Sequence, residues 1–186
     1  NELSLPMHSS FGNHDAWGYA LGKDHPATKD PMYGKELALK PLGLKNRYNS
    51  FDHGDWHFIN LDTIQPAVGE HKIGWKPIID EEQFQWLKQD LEANRNRPVA
   101  VYSHMPILQI CSFEYLKPND DGVYAFGSHS MMQDAHRLVN LFKRHGNVKL
   151  CISGHIHLRD RVETMGTTYI NAGAVSGGWW RGDRGG

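Results

Sequence analysis

Cysteine is scarce in this chain: two in 186 residues, Cys111 and Cys151, with no cluster between them. That disfavours a structural zinc site built on cysteine thiolates. Cys151 lies inside an apolar run and Cys111 follows another, the usual setting of buried free thiols. An excess of one charge is also missing. Twenty Lys and Arg stand against 21 Asp and Glu, a formal net charge of −1. No basic footprint for DNA or RNA results. No apolar run approaches the roughly 20 residues needed to cross a bilayer. Internal repeats and low-complexity tracts are absent, as are a signal-peptide pattern and an initiator Met. The chain opens on Asn1 and closes on Arg184-Gly185-Gly186, in mid-pattern at both ends. It therefore reads as a fragment, and missing targeting signals say nothing about compartment.

What is present suits one globular domain. Hydrophobic residues make up 39% and charged residues 22%, an ordinary balance, and 186 residues can bury a sizeable core. The 12 histidines are many. Several stand beside Gly, Asp or Asn at loop-like positions, which points to metal chemistry.

The hydrophobic pattern alternates between strands and helices. Residues 3–10 read as a short strand. Residues 16–45 are rich in Gly, Pro and Lys without sustained period, a long loop of the functional or inserted kind. Residues 47–51 and 56–62 predict a hairpin turning at 52–55. Residues 80–96 predict a helix with Asp80 as N-cap, Gln83 completing a capping box, and Phe84, Leu87 and Leu91 on its buried face. A second helix is expected over 130–146, capped by Ser130 and stopped by Gly146. Its buried stripe is Ala135, Leu138, Val139 and Phe142. Apolar strands at 97–104 and 147–155 each end on a histidine, and two more strands flank Gly166. Together these define an α/β domain with mixed sheets.

Three segments share one layout, in which a strand ends, the chain turns, and a metal-capable side chain follows. They present Asn13 and His14, then His104, then His155 and His157. Ligand sites in α/β sheets form beyond the carboxyl ends of strands, so these residues are expected to converge. Gly12 and Gly154 permit tight turns and close backbone approach. Histidine and asparagine are neutral N and O donors, a set that suits Mn, Fe or Zn.

Gly12-Asn13-His14-Asp15, Ser103-His104-Met105-Pro106 and Gly154-His155-Ile156-His157 resemble the last three motifs of the calcineurin-like metallophosphoesterases, in order and in spacing. The filler at 49–63, 84–92 and 167–180 is similar to stretches common in that family. The resemblance implies a four-layer sandwich, two mixed β-sheets flanked by helices, with the amino-terminal part of the domain missing from this chain. It implies hydrolysis of phosphoric esters by a hydroxide held between two metal ions. Asn13, His104 and His155 would bind one metal and His157 the other. His14 would approach the scissile phosphate, stabilise its charge and protonate the leaving oxygen, with Asp15 orienting its ring.

The family's Asp-x-His and Gly-Asp motifs should precede Gly12 and carry the carboxylate ligands, but only 12 residues precede Asn13. Gly54-Asp55 has the right letters on the wrong side of the first motif, in a turn. Two other His-x-His patterns do not fit. The metallo-β-lactamase pattern needs an Asp-His pair after His-x-His, where this chain has Leu158-Arg159-Asp160-Arg161. Amidohydrolases carry theirs on the first strand.

Some residues keep two readings. His129 lies before a helix within reach of a substrate, or is a surface residue. Trp179, Trp180 and Arg181 line a substrate pocket, or serve core packing and solvation. Asp62 caps a turn. His25, His53, His57, His71, His136 and His145 are surface or structural. The leading function is a metal-dependent phosphoric ester hydrolase acting on a small-molecule phosphoester. A purple-acid-phosphatase-like enzyme and a non-catalytic binding relative are the alternatives. Substrate choice is expected to lie in residues 16–45, 107–130 and the tail.

Overall fold

Four parallel strands frame the chain. The computed structural model describes residues 6–67, 69 and 73–174. The strands are β1 (Asn49–His53), β2 (Trp56–Leu61), β3 (Gln65–Pro66), β4 (Trp75–Lys76), β5 (Val99–Ser103), β6 (Val148–Ser153), β7 (Arg159–Thr164) and β8 (Thr167–Ala172). The larger sheet has the order β1-β2-β5-β6-β8-β7, and β3-β4 form a second, much shorter sheet. Strands β2, β5, β6 and β8 run parallel, while β1 and β7 lie antiparallel at the two margins. This is the mixed α/β class expected from the pattern. Among the described residues no helix is long and apolar enough to cross a membrane.

Parallel neighbours need crossover connections; helices lie in two of the three, and strand β7 lies in the one from β6 to β8. Helix α2 (Glu81–Ala93) joins β4 to β5, and α3 (Ala135–His145) joins β5 to β6; the shorter α1 (Glu36–Leu39) sits in the early loop. Phe84, Leu87 and Leu91 from α2 and Leu138, Leu141 and Phe142 from α3 enter one core with Ile59, Val99, Val101 and Cys151. Val139 sits at its margin, so Leu141 takes part of the expected stripe. Both cysteines are free thiols.

Local chemistry explains the helix starts. The Asp80 carboxylate accepts the Gln83 N–H at 2.8 Å, the expected N-cap. The Gln83 side chain does not close a capping box. It is fully buried, and its amide accepts from Asp62 N and donates to Asp62 O, both at 2.8 Å. Ser130 does not cap α3, which begins five residues later at Ala135. Met132 N bonds Pro106 O and Gln133 N bonds Pro77 O, so this stretch is committed to neighbouring loops. Gly146, at φ +70°, ends α3 as expected. The described residues 6–10 form no strand. Pro6 has no N–H to offer a ladder, and His8 instead stacks on Phe51, centroids 3.4 Å apart.

The end of β2 holds a buried charge network that the sequence reading missed. Asp62 is wholly buried, and Lys35 is only 4% exposed. Lys35 Nζ lies 2.5 Å from both Asp62 oxygens and also donates to the Ile64 carbonyl. Arg47 bridges Asp62 at 2.8 Å and Asp80 at 2.9 Å. Burial pulls the Lys35 ammonium below its ordinary pKa, and the Asp62 carboxylate opposes that. Asp62 does accept Ile64 N at 3.3 Å, the expected turn cap, but its main partners lie 27 and 15 residues upstream.

Removing one member of such a network strands a buried charge. Asp62→Ala is expected to lower the unfolding free energy in urea by about 3–5 kcal/mol. Leu87→Ala, a cavity in the same core, should cost about 2–5 kcal/mol. A change under about 1 kcal/mol at Asp62 would show that Lys35 finds another counter-charge.

Candidate metal centre

Parallel pairing brings two of the predicted ligands to one edge. His104 follows the last residue of β5, and His155 stands two residues beyond β6. Gly154 N–H donates to His104 O at 3.1 Å, one rung beyond the strand ends. Ile156 N then bonds Gly154 O at 2.8 Å, a three-residue γ-turn centred on His155 at φ +66°. His157 is also left-handed, at φ +61°. Such non-glycine conformations cost about 1–3 kcal/mol each and concentrate at functional sites. Here they aim two histidines within one short loop.

Asn13 reaches the same place from the other end of the chain. Residues Asn13–Asp15 form one 3₁₀ turn, closed by Asp15 N to Gly12 O at 3.1 Å and by Gly12 N to the Asp15 carboxylate at 2.8 Å. Gly12 presses against the His104 ring: a Cβ there would stand 3.0 Å from Nδ1 and 3.1 Å from Cε1. His104 Nε2 lies 2.8 Å from Asn13 Oδ1 and 2.9 Å from His155 Nδ1. Ligand atoms on adjacent corners of an octahedron, with metal bonds of about 2.1 Å, are about 3 Å apart. The spacing therefore fits one shared metal.

The electrostatics agree. Burial, then the neighbouring His155, His14 and His157, push the His104 pKa down to about 4. Burial also takes His155 down to about 4, opposed by a hydrogen bond to the His129 backbone. Both rings are neutral at pH 7, as metal binding requires. The donor set is nevertheless incomplete. Among the described residues no three His, Cys, Asp or Glu side chains gather into a cage; the third donor is the Asn13 amide. Among the described residues no carboxylate joins the cluster.

The other predicted residues fall around it. His14 is exposed and, with His157, is near enough to depress both buried rings. The Asp15 carboxylate is spent on the Gly12 N–H, with no hydrogen bond to His14 among the described residues. His129 is exposed and meets His155 through its backbone. Trp75, which the sequence reading missed, stands edge-on to His155 at 5.7 Å and 89°, and its ring lies 6.1 Å from that of His129. Its place in the short second sheet left no spacing signal. Trp179, Trp180 and Arg181 lie outside the described residues. Gly54-Asp55 turns the hairpin at the amino end of β2, opposite the histidine edge. His57 is structural: its two ring nitrogens face Asp52 and Asp90, both at 2.7 Å.

Comparison with known proteins gives the family and the fold. The family model for calcineurin-like phosphoesterases matches residues 1–159, and the chain belongs to that family. A 3′,5′-cyclic-nucleotide phosphodiesterase of Nostoc sp. is 27% identical over 172 residues, 92% of this chain and 52% of that protein. The chain thus spans about half the length of the curated relative it matches. A dimetal phosphatase from Danio rerio is similar in fold, with a TM-score of 0.52 and 15% identity over 69% of this chain and 49% of that one.

Gly12→Ala probes the cluster without touching a ligand. Gly12 sits at φ −98°, open to any residue, so the main effect is displacement of the His104 ring. Affinity for Mn or Zn should fall about 10–100-fold, the range for a disturbed supporting group, with little change in melting temperature. Isothermal titration of the metal checks this. Unchanged affinity would separate His104 from metal binding.

Proposed function

We propose that the protein, in full-length form, catalyses metal-dependent hydrolysis of phosphoric esters. The observation that carries this reading is the meeting of Asn13, His104 and His155 at the carboxyl edge of the sheet, as neutral donors at metal-ligand spacing. Asn13, His104 and His155 would hold one ion, and His157 would contribute to a second. Bound ions would supply Lewis-acid activation of water and positive charge for the phosphate, and Mn, Fe and Zn all suit these donors.

The chain's own residues do the rest. His14, exposed beside the cluster, holds a proton for the departing oxygen and offers charge to the phosphate. Asp15 fixes the turn that carries His14 by binding Gly12 N–H. The His129 backbone and the Trp75 edge fix the plane of His155. The relative from Nostoc favours a phosphodiester, and a cyclic nucleotide in particular, over a monoester.

The test is release of p-nitrophenolate from bis(p-nitrophenyl) phosphate and p-nitrophenyl phosphate by full-length protein loaded with Mn or Zn. Chelation should abolish turnover and added metal restore it. His155→Ala should remove activity. His14→Ala should lower kcat by about 10²–10⁴-fold with bound metal unchanged. No turnover of either ester by metal-loaded protein would overturn the proposal in favour of a non-catalytic relative.

A further inference from the structure

A groove of about 490 Å³ lies beside the His155–His157 loop, within the size range of small-molecule sites. One side is Ile110, Cys111, Phe113 and Glu114; the other is Leu158, Arg159 and Asp160. Its Leu158–Asp160 side lies at the histidine edge of the sheet. Leu158 follows His157 directly, and Asp160 pairs with Asn171, which pairs with Ser153 at the end of β6.

The two walls are tied together. One Asp160 carboxylate oxygen accepts Ile110 N at 2.5 Å and Cys111 N at 2.9 Å. The contents of the groove are unlike an ordinary surface. Ile110 is 58% and Phe113 47% exposed. Tyr124 packs on the Phe113 ring at 4.9 Å, which holds the ring in place. Arg159 is exposed and has no ion-pair partner among the described residues. Of the two carboxylates in the groove, Asp160 is committed to the Ile110 and Cys111 N–H groups and Glu114 lies on the Phe113 side; an exposed aromatic and a guanidinium lining one groove suit a ligand with a planar ring and an anionic group.

A larger cleft of about 690 Å³ borders Arg47, Tyr48 and Trp86, but its groups are already engaged. Arg47 is held by Asp62 and Asp80, and Tyr48 packs on Trp86 at 4.8 Å.

We propose that the groove beside His157 binds the planar aromatic group of the phosphoester, a nucleobase or an aryl ring, stacked on Phe113 with Arg159 on the anionic side. This rests on the phosphoesterase reading for the phosphate end alone. The groove explains how a site of generic phosphate chemistry would choose among esters. It also gives the 107–129 segment a task.

The experiment is equilibrium binding to full-length, metal-loaded protein of three monophosphates: adenosine 5′-monophosphate, phenyl phosphate and ribose 5-phosphate. Wild type should bind a ring-bearing ligand more tightly than ribose 5-phosphate. Phe113→Ala should weaken that ligand roughly 5- to 150-fold, the range for loss of one stacked ring, and leave ribose 5-phosphate unchanged. Phe113→Leu keeps an apolar side chain, guards against misfolding, and should show the same selective loss. Arg159→Gln should weaken all three. A preference for the adenosine ligand assigns a base site, and a preference for phenyl phosphate an aryl site. Equal binding of all three, or equal loss on Phe113→Ala, overturns the proposal. So does a change in self-association on Phe113→Ala without any change in ligand binding, which would make the patch a protein interface. Hydrolysis without ring preference defeats the groove alone. Ring-dependent binding without hydrolysis defeats the phosphoesterase reading alone.

Discussion

The hydrogen bond from Gly154 N–H to His104 O, 3.1 Å long, is the point on which the site depends. It extends the β5–β6 pairing past both strand ends. Residues far apart in sequence thereby leave the sheet side by side. A parallel ladder fixes register by its backbone, so the relative height of His104 and His155 is set before any side chain acts. The γ-turn at His155 then bends the chain at once, placing Nδ1 2.9 Å from His104 Nε2. Had β5 and β6 been antiparallel, their carboxyl ends would lie at opposite edges.

Asn13 has no strand of its own among the described residues, so it needs another reference to the sheet. The buried network around Asp62 supplies one. Lys35 anchors on Asp62 just past β2. Its neighbour Gly34 exchanges two 2.8 Å hydrogen bonds with Trp17, two residues beyond Asp15. The long early loop is therefore pinned near its start and close to its helical turn α1. Gly12 completes the docking by lying flat on the His104 ring. Stability and site geometry are coupled here: Asp62 holds the fold together and, through Lys35, holds the Asn13 turn in place.

The legibility of this molecule in its sequence followed from how local each signal was. The strands ending at Ser103 and Ser153, the capped start of α2 and the glycine stop of α3 depend on neighbours a few residues away, and the hydrophobic period revealed them. The meeting of Asn13, His104 and His155 was legible because strand-end turns constrain residue type. Long-range polar contacts were not legible. Nothing near Gln83 signals that its amide bonds Asp62 rather than its own helix cap. Nothing near Lys35 signals a carboxylate 27 residues on. Ser130 illustrates the converse, a good local cap overridden because Met132 and Gln133 bond other loops. The roles of Trp75 and Asp160 belong to the same class, set by packing between segments.

Charge is the remaining constraint on the chemistry. Asn13, His104 and His155 are all neutral donors, and both rings resist protonation with pKa values of about 4. A cation bound there would keep its full charge in a half-buried place. Asp62, the nearest wholly buried carboxylate to the end of β2, is already shared by Lys35 and Arg47 and has little to give. Compensation would have to come from groups outside the cluster or from an anionic ligand. A cation held by neutral donors would attract an anionic ligand, and burial would make that attraction stronger than it is in water. The same neutrality leaves the described donors incomplete as a cage, so a cation held by them would need negative charge from beyond Asn13, His104 and His155.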